Sequence, residues 1–394
     1  MPGSPLADCW GLDAEVDFLN HGSFGACPKV VLDRQSELRA ELERSPVRFL
    51  YRSLEASLDQ ARERLGRIVG ADPEGLAFVH NATLGVNTAL AEALQAGQEL
   101  LITNQEYNAS ANAAKRWAER VGARVRTVEL PFPVSSPEVI VDRILAAVGD
   151  DTRWLLIDHI VSQTGLVLPI ERIVAPLRER GVETIVDGAH GVGQVPLKLD
   201  ELGAAYYTSN AHKWLCAPKG SAFLYVREDL RESSEPLVTS HGRNSARKDR
   251  SRFRLESDWV GTLDPTPWLC IPDAIDFLEG LLPGGLPMLM QHNRELALLG
   301  RSFLCAALDT EAPCPPEMVG SLASVPLPDQ EEAPEPPLYL DPLHAQLLSE
   351  GIEVVVHPWP APPKRLMRIS AQAYNHPSQY QRLADRVGQL FGGA

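Results

Sequence analysis

The stretch Val182-Glu-Thr-Ile-Val-Asp-Gly-Ala-His190 decides the fold. A short apolar run rich in β-branched residues ends on Asp187 and a glycine, which reads as a buried strand with an acid at its carboxyl end. A carboxylate there is costly to bury without a partner. Two readings stay open at this point: an acid that holds a protonated ring nitrogen, with His190 nearby, or an ordinary helix N-cap.

On both sides the same alternation continues. Strand-like runs at 76–79, 99–103, 123–130, 153–158, 182–187, 204–208 and 221–226 are interleaved with helical patterns at 83–94, 109–121, 137–148 and 170–180. Strand–helix alternation predicts an α/β fold, a mostly parallel sheet with helices on both faces. In such a sheet ligands sit at the carboxyl ends of the strands. Before this region, 30–44 and 54–69 carry amphipathic helical spacing. The polar, locally basic segment 232–254 reads as a long loop. Segment 311–337, with eight prolines and several acids, reads as an irregular surface connection. Strand and helix patterns return over 338–394.

Composition narrows the function. The chain has 394 residues, 37 Lys+Arg against 52 Asp+Glu, and a net charge of −15. That acidity argues against a nucleic-acid partner, which needs a basic footprint. Apolar runs are far shorter than the ~20 residues a membrane span requires. The N-terminus shows neither a basic leader nor an apolar core, so no secretion signal is expected. Six scattered cysteines without metal-type spacing suggest reduced thiols in a cytoplasmic protein.

A second stretch, Thr208-Ser-Asn-Ala-His-Lys-Trp-Leu-Cys-Ala-Pro-Lys-Gly220, places Lys213 after a strand among apolar neighbours. A desolvated lysine loses its charge more easily and becomes a nucleophile for carbonyls. A lone lysine is more often a solvated surface group. Paired with Asp187, 26 residues earlier, it makes the set that pyridoxal phosphate requires: an imine-forming amine and an acid for the pyridine nitrogen. Phe78-Val-His-Asn-Ala-Thr-Leu-Gly-Val-Asn87 offers a phosphate cradle at a helix start, with the Ala82 and Thr83 N–H groups and the Thr83 hydroxyl. An ordinary N-cap fits that sequence equally well.

With these pieces in order, the chain resembles the class V aminotransferase family, and within it the isopenicillin N epimerase-like branch. The resemblance is carried by Phe18-Leu-Asn-His-Gly-Ser-Phe-Gly25, Asn81-Ala-Thr83, Glu106-Tyr-Asn108, Asp187-Gly-Ala-His190, Asn210-Ala-His-Lys-Trp-Leu215, Trp259-Val-Gly-Thr-Leu-Asp264 and Arg368-Ile-Ser370. It implies the pyridoxal-phosphate-dependent transferase fold of type I, with a large cofactor-binding domain over 25–262 and a small one from 1–24 and 263–394. It also implies the roles. Lys213 would carry the cofactor as an imine, and Asp187 would hold the pyridine nitrogen. His190, with Ser162, would lie near the phenolic oxygen, and Tyr107 would stack on the ring. Ala82, Thr83, Asn210 and His212 would hold the phosphate, although many relatives have Ser in place of Asn210. Thr262 would reach the phosphate of a neighbouring subunit, which implies a homodimer. Arg368 would receive the α-carboxylate of an amino-acid-like substrate, since a guanidinium fork suits a carboxylate. Asn20 and His21 would close over the substrate side.

Epimerisation, transamination and β-elimination all start by removing the Cα proton, for which Lys213 is the natural base. Epimerisation also needs a second acid–base group on the opposite face, for which Tyr107 and His21 are the candidates, or a lysine able to serve both faces. Cysteine desulfuration, which needs a nucleophilic thiol shortly before the carboxylate-binding arginine, is disfavoured because 338–367 holds no cysteine. A non-catalytic pyridoxal phosphate-binding protein is the remaining alternative, and the joint presence of Lys213 and Asp187 argues against it.

Overall fold

The computed structural model describes residues 4–330 and 341–391. Its centre is a seven-stranded sheet built from Leu76–Val79 (β1), Glu99–Thr103 (β2), Arg124–Val128 (β3), Thr152–Asp158 (β4), Glu183–Asp187 (β5), Tyr206–Ser209 (β6) and Ala222–Val226 (β7). The strand order is β1-β7-β6-β5-β4-β2-β3, parallel except for β7, which runs antiparallel to both neighbours. The expected mostly parallel sheet is therefore present.

Alternate residues along each strand enter two different cores. Leu155, Ile157, Val186 and Tyr207 join the larger one, while Leu156, Ile185 and Tyr206 join the smaller. Burial on both faces is why these strands read as continuous apolar runs. The smaller core is closed by the helices Ala82–Ala93 (α1) and Asn108–Val121 (α2), through Val86, Leu90, Ala114 and Ala118. The helices at 29–44, 54–69, 137–146 and 171–179 contribute to the opposite core.

Register sets the site. Asp158, Asp187 and Thr208 stand side by side at the carboxyl ends of β4, β5 and β6. A second, three-stranded antiparallel sheet contains Leu322–Leu327 (β8), Val355–Pro358 (β9) and Arg365–Ser370 (β10), with β10 in the middle. The strand β8 corrects the expectation for 311–337, whose described part is not wholly irregular. Pro326 is tolerated because β8 is an edge strand whose partner β10 lies on one side only. The remainder, 331–337 with its acidic residues, lies outside the described residues. The segment 232–254 is mainly loop as expected, although the helix Arg252–Ser257 begins inside it. Among the described residues, no helix is long and apolar enough to cross a membrane.

The N-terminal segment is tied to the C-terminal one. Asp17–Phe18 pairs in parallel with Ile352–Glu353, and Ser370 N–H donates to the Leu19 carbonyl at 2.8 Å. This carries 20–25 across the strand ends, where Gly25 adopts φ +70° and its backbone presses on the His212–Lys213 peptide. A Cβ at Gly25 would lie 2.1 Å from the His212 carbonyl oxygen. Gly25→Ala is therefore expected to destabilise the fold by roughly 2–4 kcal/mol, through strain and collision together, measurable as a lowered midpoint in urea unfolding.

Candidate active site

A cleft of about 360 Å³ opens at the carboxyl ends of β4–β6, lined among others by Thr83, Tyr107, Asp187, His190, His212 and Lys213. That size suits a small-molecule site. Of the residues expected there, it also gathers Ala82, Ser162 and Asn210.

Lys213 follows β6 in a loop held from two sides. Its backbone carbonyl accepts a hydrogen bond from His21 Nε2 at 2.9 Å, and its Nζ lies 3.0 Å from His190 Nε2. Burial first and then the Arg368 charge lower the amine, and Asp187 and Asp158 oppose them, which leaves a pKa of about 7. An amine poised near neutrality is what a carbonyl nucleophile or a general base requires.

Asp187 is buried, and each carboxylate oxygen accepts one protein hydrogen bond: Oδ2 from the Ser110 hydroxyl at 2.7 Å and Oδ1 from the Ala189 N–H at 3.0 Å. Burial raises its pKa, while these two donors and Lys213 pull it back. A carboxylate has four lone-pair positions, so acceptor capacity remains for a ring N–H. Ser110, three residues beyond Tyr107 on the first turn of α2, had no signal in the sequence reading, because a serine in a helix start reads as ordinary.

Beside Asp187 lie two further buried acids, also unforeseen. One oxygen each of Glu106, Asp158 and Asp187 fall within 4.8 Å of one another. Burial raises the Glu106 carboxyl to about 8, with the Asp158 contact opposing and Asp187 adding, and burial holds Asp158 well above its ordinary value, with Glu106 and Asp187 adding. At least one of the two therefore keeps its proton at neutral pH, because two like charges so close cannot both ionise.

At the mouth of α1, Asn81 caps the helix by accepting the Leu84 N–H at 2.9 Å. Asn210 Oδ1 accepts the Ala82 N–H at 2.8 Å. That leaves the Asn210 amide nitrogen and the Thr83 N–H and hydroxyl as anion donors at a 12-residue helix N-terminus. His212 donates Nδ1–H to the Ser221 carbonyl at 2.9 Å, and burial lowers its pKa to about 4. The neutral ring thus points a lone pair, not a proton, from Nε2.

Arg368 lies mid-sheet on β10, where its residue pairs with Ser324 and Val355. Its guanidinium contacts the Ser162 carbonyl and hydroxyl, and donates to Ser23 Oγ at 3.1 Å. It is 4% exposed, has no carboxylate partner among the described residues, and its Nε–H is unpaired. Burial lowers its pKa to about 10 and Tyr107 opposes the shift. Ser23 in turn donates to Asn20 Oδ1 at 2.6 Å, and Asn20 donates to Glu353 at 3.0 Å, so Asn20 supports the arginine from behind. Both ring nitrogens of His21 are engaged by protein groups, Nδ1 by the Tyr374 hydroxyl at 2.8 Å and Nε2 by Lys213. Ser162 reaches Arg368, and Thr262 is exposed and outside the cleft of its own chain.

These residues fit pyridoxal phosphate. The partly desolvated Lys213 amine, the remaining lone pairs of buried Asp187, and the N–H-rich start of α1 would hold its aldehyde carbon, ring nitrogen and phosphate.

Comparison with known proteins agrees. A family model described as aminotransferase class-V matches residues 22–297. The isopenicillin N epimerase of Amycolatopsis lactamdurans is 37% identical, covering 96% of each chain. A probable chloroplastic L-cysteine desulfhydrase of Arabidopsis thaliana is 30% identical over 96% of this chain and 83% of that protein. Among solved structures, the cystine C–S lyase C-DES in complex with cysteine persulfide superposes with TM-score 0.78 at 20% identity, covering 95% of this chain and 98% of that one. A cysteine desulfurase of Thermococcus onnurineus reaches TM-score 0.81 at 17% identity over 100% and 99% of the two chains. The fold is the type I fold of those enzymes.

Two measurements check this electrostatic reading. Because His212 must gain a proton to donate, sulfate binding followed by calorimetry in buffers of different ionisation heat is expected to take up a proton near neutral pH, and His212→Asn to abolish that uptake. Glu106 is protonated in the folded state up to about pH 8 but only to about pH 4.5 when unfolded. Its contribution is thus full in acid and lost as pH rises through that window. Relative to Glu106→Gln, the wild-type folding constant should fall up to about tenfold per pH unit there, and level off above it.

Proposed function

The chain belongs to the class V aminotransferase family of pyridoxal-phosphate-dependent enzymes, and from that premise we propose that it acts at Cα of an amino acid as an isopenicillin N epimerase-like enzyme. The observation that carries the reading is the buried Arg368 guanidinium without an anionic partner among the described residues, which acts on the same Lys213 amine that Asp187 attends. A buried unpaired charge is strongly unfavourable, and a substrate α-carboxylate relieves it.

When bound, pyridoxal phosphate supplies an electron sink that makes the Cα proton acidic. The protein's own groups then divide the work. Arg368 binds and orients the carboxylate. Asp187 keeps a proton on the ring nitrogen. Lys213, with a pKa near 7, takes the Cα proton and returns it. Of the two candidates for an opposite-face acid–base group, burial lowers His21 to a pKa of about 3 and both its nitrogens are engaged. Tyr107 lines the cleft and interacts with Arg368, so it takes that role in the proposal.

A second reading, a C–S lyase working by β-elimination, is favoured by the desulfhydrase relatives and by chemistry that needs no opposite-face group. An aminotransferase is the third outcome of the same first step. Persulfide chemistry finds no support, because no cysteine lines the cleft, and Cys314 is buried with its thiol pushed up in pKa by burial. The division into a large domain over 25–262 and a small one, the cytoplasmic location and the homodimer belong to this proposal too. Exposed Phe24 at the cleft, together with Val47 and Tyr51 elsewhere on the surface, supports a covering second copy whose Thr262 would meet the phosphate.

Incubating the cofactor-loaded protein with an amino-acid panel in deuterated water separates the outcomes. Deuterium at Cα with inversion is expected. Pyruvate with ammonia would instead establish the lyase, and accumulation of pyridoxamine phosphate the aminotransferase. Absence of Cα exchange with every substrate, isopenicillin-type peptides included, would sink the reading. In the same assay Arg368→Lys should raise KM by ~10–100-fold through loss of a bidentate charged contact, and Tyr107→Phe should depress inversion more than exchange.

A further inference from the structure

His190 sits between two donors. On one side the Trp214 indole Nε1–H reaches His190 Nδ1 at 3.2 Å, and on the other Lys213 Nζ lies 3.0 Å from Nε2. Trp214 is wholly buried and His190 is 2% exposed, so no solvent competes for either contact. An indole nitrogen donates and never accepts. Nδ1 must therefore offer its lone pair, and the neutral ring carries its single proton on Nε2. A doubly protonated ring would set an Nδ1–H against the indole N–H. Burial opposes it as well, and so do the basic groups that face this ring: Lys213 first, then Arg368, and to a lesser degree the titratable rings of His21 and His212.

The consequence passes to the lysine. An Nε2–H pointed at Nζ needs an acceptor, and only the unprotonated amine has a lone pair to give. We propose that Trp214 is a positioning residue for the Cα chemistry: its indole N–H fixes His190 as the Nε2–H tautomer, which in turn selects the neutral amine of Lys213. The other charges around Nζ are Arg368, which favours the neutral amine, and Asp187 and Asp158, which oppose it. The tautomer lock works with the arginine against the two acids. Its functional meaning rests on the pyridoxal phosphate reading, under which the same Nε2–H would be available as a donor to the cofactor. The geometry of the lock does not depend on that reading.

Without the indole, Nδ1 is freed. The ring can then take its proton there and turn Nε2 into an acceptor for a Lys213 ammonium. The test is histidine ¹⁵N NMR on the full-length protein, with His190→Gln used to assign the His190 signals. Wild type is expected to show His190 protonated on Nε2 alone. A proton on Nδ1, or a doubly protonated ring at neutral pH, overturns the inference without need of any Trp214 variant. In Trp214→Phe, His190 should populate the Nδ1–H tautomer. The pH midpoint for pyridoxal phosphate uptake by Lys213, followed by absorbance, should then move up by about one unit. An unchanged tautomer and midpoint in a folded Trp214→Phe overturns the inference. Wild type that takes up no pyridoxal phosphate at all defeats the cofactor reading, while the tautomer measurement still decides the role of Trp214.

Discussion

The chemistry of this protein depends on the desolvation of charge at the carboxyl ends of three adjacent parallel strands. Asp158 and Asp187 are held in register and buried, and Lys213 is drawn over them by the loop after β6. Burial is the first cause of the shift for each of Lys213, Asp187, His190 and Arg368. A dry site makes each of these groups easier to convert between charged and neutral forms, which is the property a proton-transfer centre needs. The surrounding structure then adjusts the balance. Ser110 and the Ala189 N–H keep Asp187 ionisable, and the Glu106–Asp158 pair avoids adding full negative charge beside it by retaining a proton.

The same constraint explains why the small three-stranded sheet and the N-terminal segment are attached where they are. A buried arginine on a central strand is costly, and Ser162, Ser23 and Asn20 form the polar scaffold that makes it tolerable. Asn20 and Ser23 arrive by way of the short pairing of Asp17–Phe18 with Ile352–Glu353 and the close passage of Gly25 over the lysine loop. The site is thus closed by residues from the beginning, middle and end of the chain. The acidic overall charge of −15 does not describe it, since Arg368 and the N-terminus of α1 await anions there.

Most of the sheet was legible in advance because strands buried on both faces are continuous apolar runs, and Asp187 and Lys213 stand where such runs end. The strand Leu322–Leu327 was not, since Pro326 within it and the prolines around it mimic a loop, and only its single-sided pairing with β10 makes Pro326 acceptable. Ser110 and the Glu106–Asp158 pair were missed for a related reason. A serine on a helix turn and an acid after a strand are common, and their meaning arises from neighbours 77 and 52 residues away in the chain.

The amino-acid sequence by itself determined the alternation of periods, hence the α/β sheet, and the residue types at its strand ends, hence the family and its cofactor. Those are properties of local pattern and of motifs in order. Tertiary structure alone decided the states of the groups. It showed that His21 is engaged with Tyr374 and the Lys213 backbone, that Asn210 accepts from Ala82, and that the Trp214 indole N–H faces His190 Nδ1. Protonation and hydrogen-bond direction depend on burial and on which donor faces which acceptor, and neither is written in the spacing of residues along a chain.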